Sequence, residues 1–91
     1  MKVVQGFTLR KLAGEHIIIP EGTGVVNFDK MIVLNDSAAY LWENICNLES
    51  FDVAVMADLL VKGYGIDEER AAADSSAIAD KWLKEGIVVA D

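Results

Sequence analysis

Hydrophobic spacing changes its period at Asn35, and that change constrains the fold more than any other feature of the chain. Ahead of it, apolar residues alternate or run in short blocks, as strands require. After it they recur at three and four, as helices require. Phe7–Ala13 sets Phe7, Leu9 and Lys11 against Thr8, Arg10 and Leu12, a half-buried strand ending at Ala13-Gly14. Glu15–Ile19 follows at once with three consecutive isoleucines. Pro20 closes it, because proline has no N–H for a ladder bond. So tight a join favours an antiparallel hairpin. Glu21-Gly22-Thr23-Gly24 reads as a turn, and Val25–Asp29 as a candidate extension of the hairpin arms. Met31–Leu34, bulky and β-branched, is a third strand.

Asn35-Asp36-Ser37 supplies N-cap residues for a first helix with Ala38, Leu41, Trp42 and Ile45 on one face. Asn47–Ser50 breaks it. Asp52 caps a second helix, with Val55, Met56, Leu59 and Leu60 inward and a left-handed stop expected at Gly63. Asp67 caps a third, whose first turn carries Glu68 and Glu69 against the positive helix end. Its inner stripe is Ala71, Ser75, Ile78, Ala79, Trp82 and Leu83, and Gly86 ends it before an extended tail, Ile87–Val89. Three strands followed by three helices predict an α+β fold, not a parallel α/β sheet.

At 91 residues the chain is one domain, 1–91, with no linker or repeat. A chain of that size has a thin core and little room for a deep catalytic pocket. Its apolar runs stop at four or five residues where a membrane span needs about twenty, and no signal-peptide block opens it, so a soluble, cytoplasmic protein is expected. The net charge of −7 argues against nucleic acid, whose phosphates must be met by Lys and Arg.

Catalytic and metal chemistry find no constellation. The one cysteine, Cys46, rules out an internal disulfide, and it falls among helix-pattern apolar residues that suppress a thiolate. His16 has no second histidine with which to share a metal, and no group has zinc-ligand spacing. Gly22-Thr23-Gly24 lacks the Gly-Lys-Ser/Thr ending of a phosphate loop. Trp42 and Trp82 fit core stripes and read as packing anchors. No enzyme, no metal and no cofactor is the resulting expectation.

The segment Pro20-Glu21-Gly22, then Leu34-Asn35-Asp36-Ser37-Ala38-Ala39 leading to Leu41-Trp42, resembles the PqqD family. The likeness continues through Gly63-Tyr64, Asp67-Glu68-Glu69 and Leu83-Lys84-Glu85-Gly86-Ile87, so it spans about Phe7 to Val88. Asn47-Leu48-Glu49-Ser50 stands where the family usually has Asp-Gly after the first helix, and the Pro20–Leu34 segment is long. The long segment resembles the looser PqqD-like group more than the pyrroloquinoline quinone members themselves. The resemblance implies a winged helix-turn-helix-like domain with a three-stranded antiparallel sheet. It further implies a recognition element, or peptide chaperone, for ribosomally made, post-translationally modified peptides. The leader of the precursor peptide would add as a fourth strand beside the third, in the cleft against the third helix. There it would be presented to a modifying enzyme, often a radical S-adenosylmethionine enzyme.

The residues permit that role. A meander leaves its third strand at an edge, and Met31, Ile32, Val33 and Leu34 carry neither charge nor proline to defend it; only Asp29 and Lys30 flank it. Strand addition is a recurrent mode of peptide capture. Lys30 and Met31–Leu34 are therefore the expected peptide contacts, with Ala73 and Ala77 as a small-residue wall on the third helix. Arg70 and Asp74, one turn apart, would fix peptide orientation or else form an ordinary solvated face. Two rival classes remain: a winged-helix DNA-binding regulator, opposed by the acidic third helix, and a dimerisation domain pairing the open edge with its own copy. Monomer and homodimer are both left open.

Overall fold

A computed structural model of the chain describes residues 1–20 and 31–91. Five strands and three helices occur among these residues: β1 (Lys2–Val3), β2 (Phe7–Leu12), β3 (Glu15–Pro20), β4 (Ile32–Leu34), α1 (Asp36–Ile45), α2 (Val53–Tyr64), α3 (Glu68–Glu85) and β5 (Val88–Val89). The architecture is α+β, with an antiparallel sheet in the order β2-β3-β4 and three helices after it. Both Val25–Asp29 and Lys30 lie outside the described residues.

The β2–β3 hairpin turns through Ala13 and Gly14, with Leu12 opposite Glu15. Both turn residues have positive φ, 51° and 82°, as a two-residue primed loop demands. Register places Ile18 opposite Ile32 and His16 opposite Leu34, so Ile18, Ile32 and Leu34 point into the core while Val33 points away. All of Ile17, Ile18 and Ile19 are buried, although only Ile18 belongs to the main core. Burial on both faces of β3 is why its isoleucines run together instead of alternating with polar residues.

Each helix begins at the expected cap. The side chains of Asn35, Asp52 and Asp67 accept hydrogen bonds from the N–H groups of Ala38, Val55 and Arg70 at 2.9, 2.8 and 2.8 Å. The α1 face Ala38, Leu41, Trp42 and Ile45 is buried throughout. Trp42 meets Trp82 of α3 edge-on, with ring centroids 5.5 Å apart. In α3 the buried line is Ala71, Ser75, Ala79 and Trp82; Ile78 is half-buried, and Leu83 is exposed because it is rotated about 100° past Trp82. For the same reason Val55, one residue before buried Met56, faces outward, and Leu59 is only half-buried.

Three expectations are corrected. First, α2 does not stop at Gly63. It runs to Tyr64, and Gly65 takes the left-handed cap at φ 66°. Gly63 stays helical because its bare Cα lies against Tyr40, where a Cβ would come 2.6 Å from Cζ of the ring. Tyr40 Oη donates to the Leu59 carbonyl at 3.1 Å, and its ring meets Tyr64 edge-on. Second, Cys46 is not on the buried face. It is the exposed C-cap of α1, one residue beyond the stripe that ends at Ile45, and its thiol donates to the Glu43 carbonyl. Third, the tail is not merely extended: β5 pairs with β1, Val89 opposite Lys2 and Val88 opposite Val3, and buries Val88 in the core. Met1 completes this end, its carbonyl accepting from Phe51 N and Ser50 Oγ. Ser50 also donates to Asp91 at 2.6 Å, which with the chain's terminal ammonium holds the Asp91 carboxyl below its ordinary pKa.

Candidate functional site

At the edge of the three-stranded sheet, β4 has β3 on one side and no strand of the described residues on the other. An edge of this kind presents unpaired N–H and C=O groups. Val33 at its centre is 55% exposed, whereas Ile32 and Leu34 on either side are buried. Directly after the strand, the Asn35 cap turns the chain into α1. Between this corner and α3 lies a cleft of about 240 Å³, lined by Val33, Leu34, Asn35, Ala38, Ala77, Ile78, Lys81 and Trp82. Its floor is the top of the core and its wall is one flank of α3.

A second, larger cavity of about 410 Å³ has more charged side chains in its lining, which is Asn35, Asp36, Ser37, Leu60, Tyr64, Ile66, Arg70 and Asp74. Asn35 lines both, so the two hollows meet at the strand-to-helix corner. The spacing of α3 explains their common wall: Arg70, Asp74, Ala77 and Lys81 are separated by four, three and four residues and form one row beside the buried stripe. Small Ala77 leaves the opening, and larger residues frame it.

Met31 is half-buried just ahead of β4, while Ile32, Val33 and Leu34 form the strand itself. Ala77 lines the cleft; Ala73 is exposed on the outer shoulder of α3, one residue short of the row, and lines neither hollow. Arg70 Nε lies 3.7 Å from Asp74 Oδ2, a loose, exposed ion pair at the rim of the second cavity. Sequence reasoning missed Lys81, although its i+4 spacing from Ala77 carried the signal. It also missed Asn35, whose position between the hollows no local pattern marks.

Asp36, at the same corner, has a partner on the sheet. His16 Nε2 lies 3.0 Å from Asp36 Oδ1, tying β3 to the start of α1. That contact occupies the single histidine. Among the described residues no group of three His, Cys, Asp or Glu side chains is placed to hold a metal ion. Nor is any of their helices long and apolar enough to cross a membrane.

Comparison with known proteins agrees with this architecture. The family model described as coenzyme PQQ synthesis protein D (PqqD) matches residues 15–88, which hold β3, β4 and all three helices. Among solved structures, "TbiB1 in Complex with the TbiA(beta) Leader Peptide" superposes with a TM-score of 0.69 at 15% identity, covering 100% of each chain. At that identity the likeness is one of fold. A search of curated proteins finds no match.

Proposed function

Because the chain belongs to the PqqD family, we propose that it is a non-catalytic module that captures the leader of a ribosomally made precursor peptide. The leader adds as a strand along β4, sets its side chains in the cleft against α3, and is presented to a modifying enzyme. A radical S-adenosylmethionine enzyme is the favoured class. The observation that carries this reading is the β4 edge, which no strand of the described residues covers, facing the Ala77 wall across a cleft lined mostly by apolar side chains. Support also comes from TbiB1, which shares the fold and whose solved structure holds a leader peptide.

Energetics explains why edge and cleft must act together. β4 is three residues long, so an added strand gains about three ladder bonds, each worth a net 0.5–1.5 kcal/mol. Ordering the peptide backbone costs about 1–2 kcal/mol per residue. Backbone pairing alone therefore falls short. Two or three apolar side chains, at about 1.5–3 kcal/mol each, bring the total towards micromolar affinity. The peptide thus needs apolar residues on alternate positions, those that point one way from a strand.

Titration of ¹⁵N-labelled protein with synthetic leader peptides from its genomic neighbourhood tests the proposal. Shifts should concentrate at Met31–Leu34, Ala77 and Lys81. Shifts that avoid β4 and α3 would refute strand addition. Self-pairing of the edge would instead appear as a concentration-dependent mass in sedimentation, displaced by no peptide.

A further inference from the structure

Resting on the peptide-groove reading, we propose that the captured segment is acidic as well as apolar: an Asp or Glu of the peptide sits opposite Lys81 while its apolar neighbours enter the cleft. The cleft lining is Val33, Leu34, Ala38, Ala77, Ile78 and Trp82, with Asn35 at the corner and Lys81 as its one ionisable side chain. No ion-pair or hydrogen-bond partner for Lys81 occurs among the described residues, although the other charged side chains at the groove have partners: Arg70 in a loose ion pair with Asp74, and Asp36 in a hydrogen bond with His16. Lys84, one turn further along the same flank of α3, is likewise without a partner there and adds to the positive end. An unpaired ammonium beside an apolar floor recognises a carboxylate carried on an apolar strand, since a bound peptide would exclude water from one side of the pair.

The net charge of −7 acts in the opposite sense at long range. Salt screens it beyond about 8 Å, so it slows encounter, while the local charge at Lys81 selects the register. At the other end of the groove, the second cavity is lined by two carboxylates, Asp36 and Asp74, and one guanidinium, Arg70. An acidic residue is therefore favoured at the Lys81 end and disfavoured at the Asn35–Ser37 end, which gives the bound strand a direction.

The experiment is selection from a displayed library of random 12-residue peptides against three baits: wild type, Lys81→Glu and Ala77→Phe. The expected wild-type winners alternate apolar residues and carry Asp or Glu at one fixed position. On Lys81→Glu that position should shift to Lys or Arg. Synthetic winners should bind Lys81→Glu about 2- to 30-fold more weakly than wild type, the loss of one exposed pair plus a like repulsion. The difference should shrink as salt rises. Winners that alternate apolar residues without acidic preference, and are lost on Ala77→Phe, would overturn the charge assignment and leave the groove standing. Absence of enrichment, or winners indifferent to Ala77→Phe, would overturn the groove reading and this inference with it.

Discussion

Replacing Ala77 with Phe should weaken peptide capture by about one to two orders of magnitude without unfolding the protein. Ala77 is exposed on α3 and lines the cleft of about 240 Å³, so a benzyl group there occupies the space reserved for a peptide side chain and touches no core residue's packing from within. Excluding one apolar anchor removes about 1.5–3 kcal/mol. At 1.4 kcal/mol per tenfold, affinity should fall by about 10- to 150-fold. Folding stability should change by about 0.5 kcal/mol or less, as for other surface substitutions away from caps and core. The matched control is Ser76→Phe, which adds a similar ring to the exposed opposite flank of the same helix. Fluorescence anisotropy with a labelled leader peptide measures binding, and urea unfolding measures stability. Equal affinity for wild type and Ala77→Phe would refute the cleft as the peptide's seat. So would equal losses in the two Phe variants, which would mean that any bulk on α3 disturbs binding indirectly.

Three further outcomes follow from the fold. Gly63→Ala gains helix propensity of about 1 kcal/mol, yet its Cβ would meet Tyr40 at 2.6 Å, and such overpacking costs about 1–3 kcal/mol. Urea unfolding should show net destabilisation, relieved in Gly63→Ala/Tyr40→Leu; stabilisation would show that the ring moves aside freely. Ser75 is fully buried, and its hydroxyl has no hydrogen-bond partner among the described residues, so Ser75→Ala should raise stability by about 1 kcal/mol in the same assay. A loss would reveal a bonded hydroxyl. Ala13 holds φ 51° in the hairpin loop, a region asparagine enters more readily, and Ala13→Asn should raise Tm by a few degrees by calorimetry. An unchanged Tm would place the loop's strain near zero.

Much of the architecture was legible because it is written over short distances. The strand-to-helix boundary at Asn35, the caps Asn35, Asp52 and Asp67, and the stop at Gly86 each depend on side chains within four residues of the groups they satisfy. The α1 face and the burial of both tryptophans were likewise readable from helical period alone, whereas their edge-on contact was not. Errors clustered where a residue's fate depends on another segment. Gly63 looked able to end α2, but its bare Cα packs beside the Tyr40 ring of another helix and α2 runs on to the left-handed cap at Gly65. Cys46 continues an apolar pattern, but the stripe had already ended one residue earlier.

Local chemistry, then, determined the order of the three sheet strands and three helices, the α+β class and a third strand without charge or proline of its own. Tertiary structure decided what that strand faces. Pairing of Lys2–Val3 with Val88–Val89 joins residues 87 positions apart at its widest, Lys2 with Val89, and leaves no periodic trace in either segment. In the same way, the row Arg70, Asp74, Ala77 and Lys81 comes to wall the two hollows only when α3 packs beside the β4–α1 corner, where Lys81 has no partner among the described residues. Caps and periods are set by neighbours along the chain, whereas a cleft is the space between elements that the chain brings together only on folding.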